Sequence, residues 1–346
     1  MQYRFIGSSD LKVSVLGLGT ATFGGGNAFF KAWGDTDVGE ARRMADVAIE
    51  AGVTLFDSAD VYSDGLAEEI LGKVIVGRRS KMVISTKVGF RTGPGVDDIG
   101  TSRKHLQQAC EASLRRLGVD TIDLWQLHGF DALTPLEETL SGLDELVRAG
   151  KVRYVGCSNF SGWHLMKSLG LANERSWPRH IAHQAHYSLL DRDYEWELMP
   201  LAMDQGVGTI VWSPLSGGLL TGKIDRNTVA PIGSRVASLG PGMLSLPSER
   251  FHDLIDLLRS IAGDLGRSVS QVALSWLLRR PTVSAAIVGA RNVQQLADNL
   301  AASDLVLSDE IVQRLDAASA SRPAYPYWHQ HEYYRERNPT PVEARL

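Results

Sequence analysis

Short apolar runs rich in β-branched residues alternate with longer segments of helical periodicity from residue 13 to about residue 303. In the longer segments apolar residues recur at i, i+3, i+4 and i+7, and several segments end at a glycine, which is typical of capped amphipathic helices. The short runs predict strands at Val15–Leu18, Thr54–Asp57, Met82–Lys87, Thr121–Leu127, Val152–Cys157, His180–Ala185, Gly208–Trp212 and Ala285–Val288. Helices are predicted between them, including Val38–Ala51, Thr101–Leu117, Pro135–Ala149 and Leu254–Leu265.

A strand followed by a helix, repeated eight times, predicts an α/β fold of the TIM (β/α)8 barrel type. An open doubly wound sheet is the alternative. It would normally carry G-x-G-x-x-G after its first strand, and the stretch from Gly17 to Thr22 lacks the third glycine. Because such barrels commonly run to about 250 residues or more as one unit, we expect a single domain over residues 1–346.

Three segments lie outside the repeat. Residues 3–14 alternate weakly around a Gly-Ser-Ser-Asp turn and predict a hairpin that caps one end of the barrel. The stretch from Pro214 to Ser248 follows the seventh strand and is rich in Gly, Ser and Pro; a loop of this length is usually functional, so we expect a lid or clamp. The aromatic tail from Arg322 to Leu346 is expected to fold back over a surface.

Composition narrows the class of protein. Hydrophobic residues make up 44% and charged residues 22%, and the 36 basic and 40 acidic side chains are interspersed, which argues against disorder and against a nucleic-acid partner. Two cysteines, no signal-like apolar run at the start and no stretch of about 18 apolar residues predict a cytoplasmic protein without a membrane partner. His180, His183 and His186 cannot all face one metal ion from a strand, so no metal site is expected.

Polar residues cluster where the predicted strands end. In a TIM barrel these ends share one rim, where active sites are built. Each residue alone has a simpler explanation: an Asp can cap a helix, a Lys can be a solvated charge and a His can be a core residue. Their joint placement favours one cleft, formed by Asp57, Lys87, His128, Ser158, Asn159, Gln184, Ser213 and the stretch Gly289–Arg291.

Tyr62 follows Asp57 in the loop after the second strand. A free phenol has a pKa near 10, and an ammonium such as that of Lys87 would lower this pKa while Asp57 held the ammonium in place. This set would form a general acid that protonates a carbonyl oxygen, with His128 orienting that oxygen or sharing in proton delivery.

Carbonyl reduction also needs a hydride source, and a bound nicotinamide would supply one. The amides of Gln184 and Asn159 could bind a carboxamide, and Trp212 could stack on the ring. The junction at Gly289 to Arg291 offers a helix start and a cation for a phosphate. Trp212 could instead pack the barrel, and Arg291 could form a surface ion pair.

Seven motifs in order resemble the aldo-keto reductase superfamily, from about residue 3 to residue 320. They read GLGT (17–20), LFDSADVY (55–62), ISTK (84–87), DLWQLH (123–128), GCSNF (156–160), WSPL (212–215) and IVGAR (287–291). The first loop, Trp212 and the segment at 289–296 look more like the bacterial and potassium-channel β-subunit branches than the aldose-reductase branch.

The resemblance implies an NADPH-dependent reductase with a catalytic tetrad at Asp57, Tyr62, Lys87 and His128, in which Tyr62 is the proton donor. It implies that Ser158, Asn159 and Gln184 hold the carboxamide and that Trp212 packs on the ring. The remaining cofactor-binding positions that it implies are Thr20, Asp57, Ser213, Pro214, Leu215, Gly218, Lys223, Arg235 beside Ser234, Gly289, Arg291, Gln295 and Asn299.

Two further expectations concern function. The substrate is expected to be a small-molecule carbonyl compound that is bulky or aromatic. Its pocket would be walled by Phe23, Phe29, Phe30, Trp33, Phe90, Phe130 and the aromatic tail. The alternative to an enzyme is a regulatory subunit that senses NADP(H) and turns over slowly, because channel β subunits share the same cofactor-binding pattern.

Overall fold

The computed structural model describes residues 1–226 and 248–338 of the chain. Eight parallel strands form a closed barrel in the order β10-β3-β4-β5-β6-β7-β8-β9. This confirms the predicted TIM-type barrel. The barrel strands are β3 (Leu16–Gly19), β4 (Leu55–Asp57), β5 (Val83–Val88), β6 (Ile122–Leu127), β7 (Val152–Ser158), β8 (His180–His186), β9 (Gly208–Trp212) and β10 (Val283–Val288).

An antiparallel hairpin of β1 (Tyr3–Phe5) and β2 (Lys12–Ser14) closes one end of the barrel. Ile6 and Val13 join an apolar cluster with the inward side chains Leu55, Leu124 and Ile210. The fit is close, because a Cβ on Gly7 would lie 2.2 Å from the carbonyl oxygen of Gly206. The hairpin therefore plugs the barrel at its amino-terminal end, as predicted, and leaves the carboxyl ends of the strands open.

Helices pack around the barrel, and polar caps set their ends. Ser102 accepts a hydrogen bond from the His105 N–H at the start of α4, and Gly118 ends α4 with a φ of +64°, a conformation that favours glycine. The helices are α1 (Ala28–Lys31), α2 (Val38–Glu50), α3 (Leu66–Ile75), α4 (Arg103–Leu117), α5 (Leu136–Arg148), α6 (Gly162–Arg175), α7 (Leu198–Gln205), α8 (Glu249–Leu265), α9 (Val269–Leu278), α10 (Val293–Leu300), α11 (Asp309–Ser319) and α12 (Tyr327–Tyr334). Short 3-10 turns connect some of them, at Tyr62–Gly65, Arg79–Lys81, Asp193–Glu195, Ser216–Thr221 and Ala301–Asp304.

Two helices near the eighth strand differ from the prediction. Helix α8 begins at Glu249 rather than Leu254, because Ser248 caps it by accepting from the Phe251 N–H and its first turn is polar. Helix α9 was not among the helices named from the sequence; all ten of its residues are buried, and a helix buried on every side has no amphipathic period.

The described part of the tail packs beside α7. It contains α12, and the Tyr327 hydroxyl lies near Glu197, the residue that precedes α7. Arg322 lies over the ring of Trp328 at 5.3 Å from the ring centroid. The tail therefore folds back on the protein as expected.

Candidate active site

The open end of the barrel holds a cavity of about 780 Å³. Asp57, Tyr62 and His128 line the cavity, and Lys87 lies directly behind Asp57 and Tyr62 with no exposed surface. The cavity continues past the ends of β7, β8 and β9 to the start of α10. The structure thus brings the polar strand ends together at one rim, because parallel strands of a closed barrel all end on the same side.

The Lys87 ammonium contacts both Asp57 and Tyr62. Its Nζ donates to Asp57 Oδ2 at 2.5 Å and to the backbone oxygen of Ser58 at 2.8 Å. Its distance to the hydroxyl of Tyr62 is 3.4 Å. The buried ion pair therefore presents the ammonium to the phenol.

Three further side chains hold the Asp57 carboxylate. Ser85 and Gln184 donate to Oδ1 at 2.9 and 3.0 Å, and Gln126 approaches it at 3.4 Å while donating to Ser85 at 2.8 Å. Ser85 and Gln126 were missed by the sequence analysis, although their place in the strand alternation could have indicated that they face the barrel interior. A buried carboxylate with this many donors is held in one orientation.

The pKa shifts correct one expectation. Burial lowers the pKa of Lys87, but Asp57 and Tyr62 together outweigh burial, so the ammonium is retained. Burial raises the pKa of Tyr62, while Lys87 opposes this effect, and the net pKa lies above the ordinary 10.0. The expectation that Lys87 makes this phenol more acidic than a free phenol is therefore wrong. Lys87 acts in the expected direction, but desolvation is the larger effect.

His128 is a neutral imidazole at neutral pH. Burial lowers its pKa well below the ordinary 6.5, and Lys87 lowers it further. Phe90 stacks on the imidazole with ring centroids 4.1 Å apart, and the phenol ring of Tyr62 lies edge-on at 5.8 Å. A neutral imidazole held between two rings can donate one N–H to an oxygen in the cavity.

The amides of the rim have partners within the protein. Asn159 donates to the backbone oxygen of His128 at 2.9 Å and accepts from the indole N–H of Trp212 at 3.1 Å. Gln184 uses its NH₂ on Asp57, and Ser158 donates to the Gln184 backbone oxygen at 2.9 Å. His186 stacks on Trp212 at 4.4 Å. This network fixes Trp212 and leaves the side-chain oxygen of Gln184 as an acceptor at the cavity wall.

Backbone groups line the middle of the cavity. Ser213, Pro214, Leu215, Gly217 and Gly218 follow β9 along the wall. Gly218 has a φ of +104°, and a Cβ there would meet no atom within 4 Å. A ligand in the cavity can therefore approach the backbone of Gly218 closely. The exposed cation Lys223 lies further along the same wall.

Arg291, Gln295 and Asn299 line the far end with Gly289. The Arg291 guanidinium donates to the backbone oxygen of Ala32 at 3.0 Å, and the Arg291 N–H donates to Gln295. At the start of α10, the Val293 N–H donates to Glu40 at 3.3 Å, so part of the expected helix-start donor set is used by the protein itself.

Several predicted positions are not brought to the cavity. Thr20 is buried and donates to Ser58 at 2.8 Å, because its side chain turns toward the loop after β4. Phe23 packs in the core, and Phe130 stacks on His164 at 3.6 Å. The described tail is also absent from the cavity lining, so these three expected wall elements are wrong. Arg235 and Ser234 lie outside the described residues.

The described residues show neither a metal-binding cluster nor a membrane-spanning helix. Residues 1–226 and 248–338 contain no group of three or more His, Cys, Asp or Glu side chains arranged to hold a metal ion. In that part of the chain, no helix has the length and apolar content needed to cross a membrane.

Comparisons with known proteins agree on one family. The family model described as "Aldo/keto reductase family" matches residues 15–320 of this chain. The uncharacterized oxidoreductase YrpG of Bacillus subtilis is 38% identical, over 91% of this chain and 95% of its own. A probable voltage-gated potassium channel subunit beta of Arabidopsis thaliana is 36% identical, over 94% and 99%. The L-glyceraldehyde 3-phosphate reductase of Escherichia coli (strain K12) is 35% identical, over 91% and 92%.

Proposed function

The chain belongs to the aldo/keto reductase family, and from this premise we propose that it reduces an aldehyde or ketone to the alcohol with a hydride from NADPH and a proton from Tyr62. The observation that carries the proposal is the contact of Tyr62 with a buried, ion-paired Lys87 at the wall of a large cavity. We further propose that the reaction takes place in the cytoplasm, since both cysteines are free and buried.

The polar and aromatic groups that line the cavity fit a nicotinamide adenine dinucleotide phosphate. The Gln184 side-chain oxygen and the Asn159 amide suit a carboxamide, and Trp212 suits an aromatic ring. The open backbone at Gly218 and the cations Lys223 and Arg291 suit phosphates. The bound cofactor supplies the hydride.

The protein's own side chains then donate the proton and stabilise the negative charge that develops during the reaction. Tyr62 stays protonated at neutral pH because burial holds its pKa above the ordinary value, so it can donate a proton to the carbonyl oxygen. The Lys87 ammonium stabilises the phenolate that forms, and Asp57 holds the ammonium. Neutral His128 donates a hydrogen bond to the same oxygen, which favours the transition state.

The substrate is proposed to be a bulky or aromatic carbonyl compound. Phe29, Phe30, Trp33 and Phe90 line the cavity next to Tyr62 and His128. The ring centroids of Phe30 and Tyr62 are 5.6 Å apart. Aromatic walls of this kind favour flat apolar substrates through area burial and ring stacking.

A Tyr62→Phe variant tests the assignment of the proton donor. The wild-type protein is expected to consume NADPH with 4-nitrobenzaldehyde, and the variant is expected to lose about 10²- to 10⁴-fold in kcat, the usual contribution of a general acid. Tyr154→Phe is the control, because that hydroxyl bonds Asp10 on the hairpin at the opposite end of the barrel. Equal kcat values for wild type and Tyr62→Phe would contradict the proposal.

A second candidate is a regulatory subunit that senses NADP(H), which the similarity to channel β subunits favours. A sensor needs a bound cofactor but not fast turnover. Steady-state kcat over a panel of aldehydes and ketones distinguishes the two. Turnover far slower than cofactor exchange with every compound would favour the sensor, and several turnovers per second would favour the enzyme.

A further inference from the structure

The turn that carries Tyr62 has an unusual backbone. Ser63, Asp64 and Gly65 follow Tyr62 with φ values of +51°, +58° and +91°. Two of the three are not glycine, and a left-handed φ is uncommon for such residues, less so for Asp than for Ser. Contacts from outside the turn support it, such as the hydrogen bond that Ser63 donates to the backbone oxygen of Phe23 at 2.7 Å.

A buried carboxylate lies one helical turn away. Glu68, in α3, has no exposed surface and accepts from the Thr86 hydroxyl at 2.5 Å. It also accepts from Arg116 of α4, at 2.7 Å from Nε and 2.6 Å from Nη2. Thr86 directly precedes Lys87 in β5. Glu68 thus ties the helix that follows Tyr62 to the strand that carries Lys87.

Arg116 also reaches the turn itself. A Cβ on Gly65 would lie 3.0 Å from Arg116 Cδ, so the arginine stem packs directly against the third residue of the turn. On the other side of Tyr62, the Asp60 N–H donates to the backbone oxygen of Lys87 at 3.1 Å. The turn is therefore held from two directions against the strand of Lys87.

We infer that Glu68 and Arg116 are positioning residues that keep the Tyr62 turn against the Lys87 strand and so set the Nζ to hydroxyl contact of 3.4 Å. This inference rests on the proposed function. It concerns residues that do not line the cavity and whose hydrogen bonds go to side chains outside the tetrad. The Glu68 carboxylate is fully buried and about a quarter of the Arg116 side chain is exposed, and well-packed apolar residues can often replace such an ion pair without loss of stability.

The chain contains a closely matched control. Glu195 is also buried, accepts from the Tyr187 hydroxyl at 2.6 Å, and accepts from Arg192 Nε and Nη2 at 2.7 and 2.8 Å. Neither Glu195 nor its partners line the cavity. Glu68→Gln and Glu195→Gln therefore each remove the charge of a carboxylate that an arginine and a hydroxyl group hold, one beside the Tyr62 turn and one away from it.

The experiment measures kcat and KM for 4-nitrobenzaldehyde with saturating NADPH, together with thermal unfolding. Glu68→Gln is expected to lower kcat at least tenfold with KM changed less than threefold. Glu195→Gln is expected to keep kcat within twofold at a similar change in Tm. Thr86→Val should lower kcat in the same way as Glu68→Gln, and Thr86→Ser, which retains the hydroxyl, should restore it. Equal kcat values for the two glutamine variants, or no difference between the two Thr86 variants, would overturn the inference.

A crystal structure of Glu68→Gln gives a readout that does not depend on activity. The distance from Lys87 Nζ to the Tyr62 hydroxyl is expected to exceed hydrogen-bond range, and an unchanged distance would contradict the inference. If Glu68→Gln does not fold, Arg116→Lys takes its place in both measurements. An inactive wild-type protein would instead count against the proposed function, so the two failures are distinguishable.

Discussion

Burial is the main influence on the pKa values of the individual side chains in this site. Desolvation is the largest influence on the pKa of Lys87, Tyr62 and His128. It raises the pKa of the phenol, lowers that of the imidazole, and is outweighed only at Lys87, where Asp57 lies 2.5 Å away. These residues were predicted from the sequence, but the net direction of the pKa shift of Tyr62 was not, because the depth of burial depends on the loops above the barrel.

At this scale Arg291 is expected to favour NADPH over NADH, because its guanidinium would pair with the phosphate on the ribose of NADPH. Arg291→Leu should raise the Kd of NADPH by about ten- to a hundredfold, since a charge-assisted contact contributes about 1.5 to 3 kcal/mol. The Kd of NADH should change less than twofold, because it lacks the ribose phosphate. Quenching of tryptophan fluorescence measures both constants.

Arg148→Leu is the matched control for that measurement. Arg148 is an exposed arginine that pairs with Asp144 on α5 and does not line the cavity. If Arg291→Leu weakened the binding of NADPH and of NADH equally, the proposed contact between Arg291 and the ribose phosphate would be contradicted.

At the scale of elements, the strands were predicted to within two residues of their observed ends, and β9 matches at both ends. Strand prediction worked because each barrel strand is a short apolar run between turn residues. Helix α9 is harder to predict in this way, because it is buried on all sides and has no amphipathic period. The aromatic wall was predicted in part: Phe29, Phe30, Trp33 and Phe90 line the cavity, whereas Phe23 and Phe130 pack elsewhere.

The loop that carries α1 is expected to select bulky substrates. Phe29→Ala should raise KM for 2-naphthaldehyde about tenfold, since burying a phenyl ring against a substrate contributes about 1.5 kcal/mol or more. KM for glyceraldehyde should change less than twofold, because so small a substrate buries little of that ring. Steady-state kinetics with saturating NADPH measure both values.

Phe5→Ala serves as the control for the loop variant. Phe5 is exposed on the hairpin at the closed end of the barrel, so its loss should leave both KM values unchanged. A Phe29→Ala variant with equal changes for the two aldehydes would show that α1 does not select substrates by size.

For the whole molecule, acid stability should depend on two histidines inside the barrel wall. Burial lowers the pKa of His180 and of His183 to about 4. The unfolded chain takes up these protons near pH 6.5, before the folded protein does. Their stabilising contribution is therefore complete above about pH 6.5 and declines toward pH 4, by roughly 3 kcal/mol for each histidine.

Urea unfolding followed by tryptophan fluorescence at several pH values measures this loss. The free energy of unfolding is expected to fall steeply between about pH 6.5 and pH 4. His180→Gln should reduce the slope, because the variant has one fewer group that takes up a proton on unfolding. A stability that is constant over this range, or a slope unchanged in the variant, would contradict the argument.

The amino-acid sequence by itself determined the barrel and the approximate site. Apolar periodicity encodes which faces are buried, and parallel strands around one axis place their carboxyl ends at one rim. Only the tertiary structure decided which side chains reach the cavity, as Thr20, Phe23 and Phe130 show, and which hidden groups support it, as Glu68, Ser85 and Gln126 show. The physical reason is that contacts and desolvation depend on distances between residues far apart in the chain, which local patterns of polarity do not specify.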